Sequence, residues 1–174
     1  GGDPNDPVFR ELFARWFAWG CFCPVMRLHG DREPHDRPPM SDHGGGMCVS
    51  GADNEVWSYG EEVYEICKKY MTLREKLRPY VRAQMQRTHE TGEPIMRPMF
   101  YDFPKDKICW ELETQYMFGP DYLVAPVMEA GVTHRDVYLP EGKWQNIDTL
   151  EVLEGGRRVS INAPLDVIPV MKRV

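Results

Sequence analysis

The sequence predicts α/β material through about residue 92 and an all-β module of the sandwich kind after it. Three observations lead there. An aromatic helix pattern over residues 8–19 runs into a short apolar segment ending in Arg27-Leu28-His29-Gly30. A second, longer helix pattern occupies residues 63–85. Beyond Pro94 the chain changes to short β-rich runs separated by turn signals.

The first helix has a defined start. Asp6 can cap it, and Pro7 suits the first helical position, where a missing N–H costs nothing. Val8, Phe9, Leu12, Phe13, Trp16, Phe17 and Trp19 recur at three- and four-residue steps, and Gly20 fits the stop. So many aromatics imply a helix buried over much of its surface. Cys23 to Leu28 is a short strand candidate. Residues 31–54 form a long loop rich in Pro, Gly, Asp and His, a length that is uncommon within a compact domain and often functional.

The second helix carries one apolar stripe: Val63, Ile66, Cys67, Tyr70, Met71, Leu73, Leu77, Tyr80, Val81 and Met85. Pro79 removes one hydrogen bond and crowds the carbonyl of Glu75, so a kink or break is expected near Arg78. Gly92 is the expected cap and Pro94 the block. The β-rich runs that follow are 95–101, 122–128, 136–139, 158–161 and 167–170, with turns at 140–143 and 154–157; residues 108–118 read as either one helical turn or two. A domain boundary is expected near Gly92–Glu93.

Composition narrows the function. At 174 residues the chain can bury roughly 70% of its extended surface. The net charge is −6 with scattered Lys and Arg, which argues against nucleic acid. No apolar run approaches the ~20 residues of a membrane span. The chain opens Gly1-Gly2-Asp3, with neither an initiator Met nor a signal-peptide pattern. Five irregularly spaced cysteines argue against a disulfide framework and for a reducing, cytoplasmic setting.

His29 is the leading candidate for chemistry. It ends a predicted strand and opens a long loop, and a neutral imidazole there can bond a sugar hydroxyl or move a proton. The alternative is a His that caps loop backbone. Arg27, two residues earlier, shares its strand face, with an internal salt bridge as the competing account. Trp57 and Tyr59 can form a sugar-stacking platform or a hydrophobic staple on the long helix. Cys21, Cys23, His29, His35, His43 and Cys48 have poor zinc spacing, and no metal or other cofactor is expected; Cys21 and Cys23 fit small apolar roles. The run His43-Gly44-Gly45-Gly46 lacks the Gly-x-Ser-x-Gly elbow that oxyanion chemistry would need. Asp102, Asp106, Glu111, Glu113 and Asp121 read as turn formers and a solvated face. They supply no pair of carboxyls about 5–5.5 Å apart, as retaining glycoside hydrolysis needs.

Four stretches together resemble the C-terminal part of a glycoside hydrolase family 31 enzyme, the family of α-glucosidases and α-xylosidases. They are RWFAWGCFCPVMRLHG, NEVWSYGEEVYEICKKYMTLREKLRPYV, GEPIMRPMFYDFP, and QYMFGPDYLVAPV followed by VYLPEGKW. The resemblance implies the terminal part of a (β/α)8 barrel over residues 1–92 and a proximal C-terminal β-sandwich over residues 93–174. It implies that His29 contacts sugar hydroxyls in the −1 subsite and that Arg27 lies near it. It also implies a retaining exo-acting enzyme on an α-linked glucoside or xyloside, with both catalytic aspartates on earlier barrel strands, upstream of Gly1. The isolated chain is then expected to be inactive, and to aggregate or form a homo-oligomer through Phe9, Phe13, Trp16 and Phe17. The competing reading is a free-standing sugar-binding or interaction module without catalysis. The apolar first helix argues against that, because a lone module would leave it bare.

Overall fold

The computed structural model describes residues 2–28 and 53–174. Helix α1 (Pro7–Gly20) begins as its sequence suggests, with Asp6 accepting the N–H of Val8 at 2.9 Å and Pro7 in the first turn. Its end differs. Gly20 stays helical, and Cys21 caps the helix in the ordinary right-handed region. No left-handed residue is needed, because the cap N–H still reaches the carbonyls of Ala18 and Trp19.

A 3₁₀ turn (Val56–Tyr59) leads into α2 (Glu61–Thr91). The expected break at Pro79 does not occur: α2 is one helix of 31 residues. Pro79 and Glu75 both lie on the exposed side, where water can take the carbonyl that Pro79 leaves unbonded. The buried residues Tyr70, Leu77 and Val81 anchor the helix on both sides of the proline. Met71 and Met85 fall outside the buried stripe, at 39% and 42% exposure. Gly92 ends the helix at φ +78°, its N–H bonded to the carbonyl of Thr88.

Eight strands follow: β1 (Met96–Pro98), β2 (Tyr116–Phe118), β3 (Tyr122–Val124), β4 (His134–Leu139), β5 (Lys143–Asn146), β6 (Val152–Glu154), β7 (Arg157–Asn162) and β8 (Val170–Arg173). The run at 95–101 is only half strand, since Met99–Asp102 turns into a short helix, α3. Residues 108–118 divide into a 3₁₀ turn (Lys107–Trp110) and β2. The last strand lies three residues later than expected, at Val170–Arg173 rather than 167–170. The strands form an antiparallel six-stranded sheet in the order β1-β2-β3-β8-β5-β6, and a two-stranded sheet of β4 and β7.

The larger sheet is buried on both faces. Met117, Leu123 and Met171 point into a core shared with Val137, Leu139 and Ile161 of the smaller sheet, which makes the sandwich. Their neighbours Phe118, Val124 and Val170 point the other way, into a core built from α1 and α2. This two-sided burial is why these strands read as apolar doublets rather than as an alternation. The molecule is thus a layer of helices, a wide sheet and a narrow sheet, stacked in that order.

Candidate functional site

The candidate site begins where α1 ends. Backbone turns carry the chain away from the helix, with Phe22 N–H bonded to Trp19 at 2.9 Å and Cys23 N–H to Gly20 at 3.2 Å. The expected strand over Cys23–Leu28 is absent: the segment is extended or bent and joins no ladder among the described residues. The carbonyls from Cys21 to Pro24, across the turn and the start of this segment, are taken by side chains. The Nη1 of Arg74 donates to Cys21 and Cys23, each at 2.7 Å, and its Nη2 donates to Pro24 at 2.9 Å. The hydroxyl of Tyr116 donates to Phe22 at 2.9 Å. Four consecutive carbonyls are therefore held by one arginine of α2 and one tyrosine of β2.

Arg74 and Tyr116 were not singled out in the sequence, although Arg74 carried a signal. It lies four residues after Tyr70 and three before Leu77, which places a cation on the core-facing stripe of α2. A half-buried guanidinium needs acceptors, and backbone carbonyls supply them. Tyr116 offered no comparable signal, since a tyrosine in a β-rich run is ordinary.

Arg27 and Leu28 close the described part of this segment, both exposed. Without a strand, the alternation that put Arg27 and His29 on one face loses its basis. His29 lies outside the described residues, as do His35, His43, Cys48 and the glycine run at 44–46. Trp57 is 67% exposed, so among the described residues it is not the staple on the long helix. Tyr59 cannot be a platform. It is 1% exposed, its ring stacks on Phe13 with centroids 3.8 Å apart, and its hydroxyl bonds Asn54. No hydrogen bond or ring contact joins Arg27 to Trp57 among the described residues.

The cysteines beside the site are built for packing. Burial pushes the Cys21 thiol up to about 12, and it donates to the carbonyl of Tyr70. Burial also raises Cys23. Both shifts disfavour the thiolate and fit the small apolar role expected of these cysteines.

The carboxylates divide: Glu111 and Glu113 are exposed and Asp106 caps a turn, as expected, but Asp102 does not lie on a solvated face. Asp102 is half-buried and accepts from Arg97 at 2.9 Å, while Arg97 itself is only 5% exposed. Asp106 accepts the Ile108 N–H at 3.0 Å and the Tyr138 hydroxyl at 2.7 Å. Both line an open groove of about 820 Å³ on the sandwich, between residues 102–106 and the turn at 155–156. Asp106 and the Oδ1 of Asp102 hold structure there, while the Oδ2 of Asp102 is buried without a hydrogen-bond partner among the described residues.

Comparison with known proteins gives this arrangement a lineage. Residues 1–84 match the TIM-barrel domain of glycosyl hydrolase family 31, and residues 92–174 match the family's C-terminal domain. The chain is 36% identical to an α-xylosidase of Saccharolobus solfataricus over 99% of its length, covering 21% of that protein. It is 35% identical to α-glucosidase 2 of Bacillus thermoamyloliquefaciens over 92% of its length, covering 18% of it. The chain therefore spans about a fifth of these curated relatives. Among solved structures, an α-xylosidase of this family from a soil metagenome, complexed with xylose, shares 53% identity and superposes with a TM-score of 0.92. That match covers 99% of this chain and 26% of the other. Consecutive domains of one family, matched in order over one continuous fold, make this chain a member of glycosyl hydrolase family 31.

Proposed function

We propose that this chain is the C-terminal part of a retaining exo-α-glycosidase that cleaves α-xylosidic bonds, with α-glucosidic bonds the second choice. The observation that carries the reading is the 53% identity, over 99% of the chain, to the structure of an α-xylosidase complexed with xylose. The α-glucosidase relative supports the second choice.

The residues divide the work as follows. The junction between barrel and sandwich falls at 92/93. His29 bonds hydroxyls of the sugar in the −1 subsite, Arg27 stands nearby, and the open indole of Trp57 offers a stacking surface at the rim. The two aspartates of the retaining mechanism belong to earlier barrel strands of the longer protein. One attacks the anomeric carbon; the other protonates the leaving oxygen and then activates water. This chain alone supplies part of the sugar pocket and no turnover, and it self-associates.

The test compares the purified chain with the longer protein on aryl α-xyloside and aryl α-glucoside. The reading expects turnover only by the longer protein, faster on the xyloside, and a loss of about 100-fold or more in its His29→Ala variant. Hydrolysis by the isolated chain, or full activity of His29→Ala, would overturn it.

A further inference from the structure

The four consecutive carbonyls of Cys21, Phe22, Cys23 and Pro24 pose a question of purpose. Barrel strands are held by ladders, yet here the four carbonyls are bonded by two side chains, one from α2 and one from β2. Arg74 reaches three of them with two nitrogens, a span that its planar, five-donor fork permits. Tyr116 reaches the remaining one from across the domain junction, 94 residues away in sequence. The clamp lies three to six residues before Arg27. Phe22 is fully buried and sets its ring edge-on to Phe118, so the clamped segment cannot slide along its bed.

We propose that Arg74 and Tyr116 are positioning residues for catalysis, fixing the register of the segment that carries Arg27 to the sugar pocket. The sandwich, through Tyr116, is thereby part of the active-site support. The proposal rests on the reading above, that this segment faces the sugar. A displacement of about 1 Å at a substrate contact is enough to lower turnover strongly, and two cooperating side chains hold that displacement down.

The experiment uses the longer family 31 protein with an aryl α-xyloside. Tyr116→Phe removes only a hydroxyl, and Arg74→Met keeps most of the side-chain bulk. Active sites are counted with a slow covalent glycosyl substrate, so every rate is expressed per competent site. The expected result is a fall of about tenfold to a hundredfold in kcat/KM per site for each variant. Arg74→Lys should recover little, because one ammonium cannot reproduce the fork. The double variant should lose much less than the product of the single losses, since both act on one segment. If Arg74→Met does not fold, Tyr116→Phe decides alone. A lower melting temperature or fewer competent sites, with kcat and KM per site unchanged, would overturn the proposal. His29→Ala separates the two failures: if it is harmless, the sugar-facing reading falls. If it is damaging while both clamp variants are normal per site, the positioning role alone falls.

Discussion

Both carboxylate oxygens of Glu11 accept the backbone N–H of Gly131, each at 3.0 Å. Glu11 lies on α1 and Gly131 on the turn before β4, so a barrel-derived helix grips the sandwich through a single amide. Arg15 completes the grip, donating to Glu11 at 2.8 Å and to the carbonyl of Val132 at 2.7 Å.

This grip should weaken in acid. Burial alone would raise the Glu11 pKa, but the Arg15 hydrogen bond, the Gly131 N–H and the Arg15 charge together outweigh it and hold the carboxyl below its usual 4.5. A lowered folded-state pKa means that the stability is fully present above about pH 4.5 and is lost as pH falls through the lower value. Glu11→Gln should cost about 1 kcal/mol at pH 7 and flatten the acid limb of a plot of melting temperature against pH. An unchanged acid limb would assign it to other carboxylates.

Gln115 predicts a sharper effect. Its amide donates to the Tyr138 carbonyl at 2.8 Å and accepts the Tyr138 N–H at 2.9 Å, imitating a strand neighbour for β4 inside the core. Gln115→Leu leaves both groups buried and unbonded, and should cost about 2–4 kcal/mol in urea unfolding. In Gln115→Glu a carboxylate would face a carbonyl, so its acid form, which can still donate, is favoured in the fold. That variant should therefore gain stability between pH 7 and pH 5, opposite in sign to Glu11.

Gly119 sits at φ +60°, and a Cβ there would strike the Tyr80 hydroxyl. That hydroxyl donates to the Phe118 carbonyl at 3.1 Å and accepts the Asp121 N–H at 3.3 Å, so it has no free direction in which to retreat. Gly119→Ala should destabilise the protein by about 2–3 kcal/mol. In the Tyr80→Phe background the added cost should shrink toward the ~1 kcal/mol of a left-handed alanine. Equal costs in both backgrounds would remove the hydroxyl from the account.

What the sequence disclosed follows from which interactions are local. The Asp6 cap, the Gly92 stop and the core positions Val63, Ile66, Cys67, Tyr70, Leu77 and Val81 depend on neighbours a few residues away, and all were legible. β5 and β6 were not. Residues 143–146 read Lys-Trp-Gln-Asn, and one buried Trp144 anchors a strand whose other residues look like loop. The strand expected over Cys23–Leu28 failed for the opposite reason. Its apolar run is genuine, but Arg74, 50 or more residues distant in sequence, claims the carbonyls of Cys23 and Pro24 that a ladder would need. At the candidate site, the residue types around Arg27 were readable, whereas the supports that hold them come from elsewhere in the fold.

The surface of α1 gives the last prediction and revises which residues should drive association. Phe9, Phe13 and Phe17 were expected to be sticky, yet they face inward: Phe13 stacks on Tyr59, Phe9 packs 6.1 Å from the same ring, and Phe17 is 9% exposed. The bare stripe is instead Val8, Leu12 and Trp16, spaced by four residues and 62%, 49% and 62% exposed. Burying such a stripe is favourable by roughly 25 cal/mol per Å² of apolar surface, so the isolated chain should self-associate through it in sedimentation velocity. Leu12→Lys combined with Trp16→Lys should shift the chain toward monomer without loss of helix signal, because both side chains are largely exposed. Phe13→Lys should instead destabilise α1, by removing the ring that stacks on Tyr59 and taking a charge out of water in its place. If the double lysine variant sediments as the parent does, the association runs through another surface. If the parent is already a monomer, the stripe is too small to drive association at all.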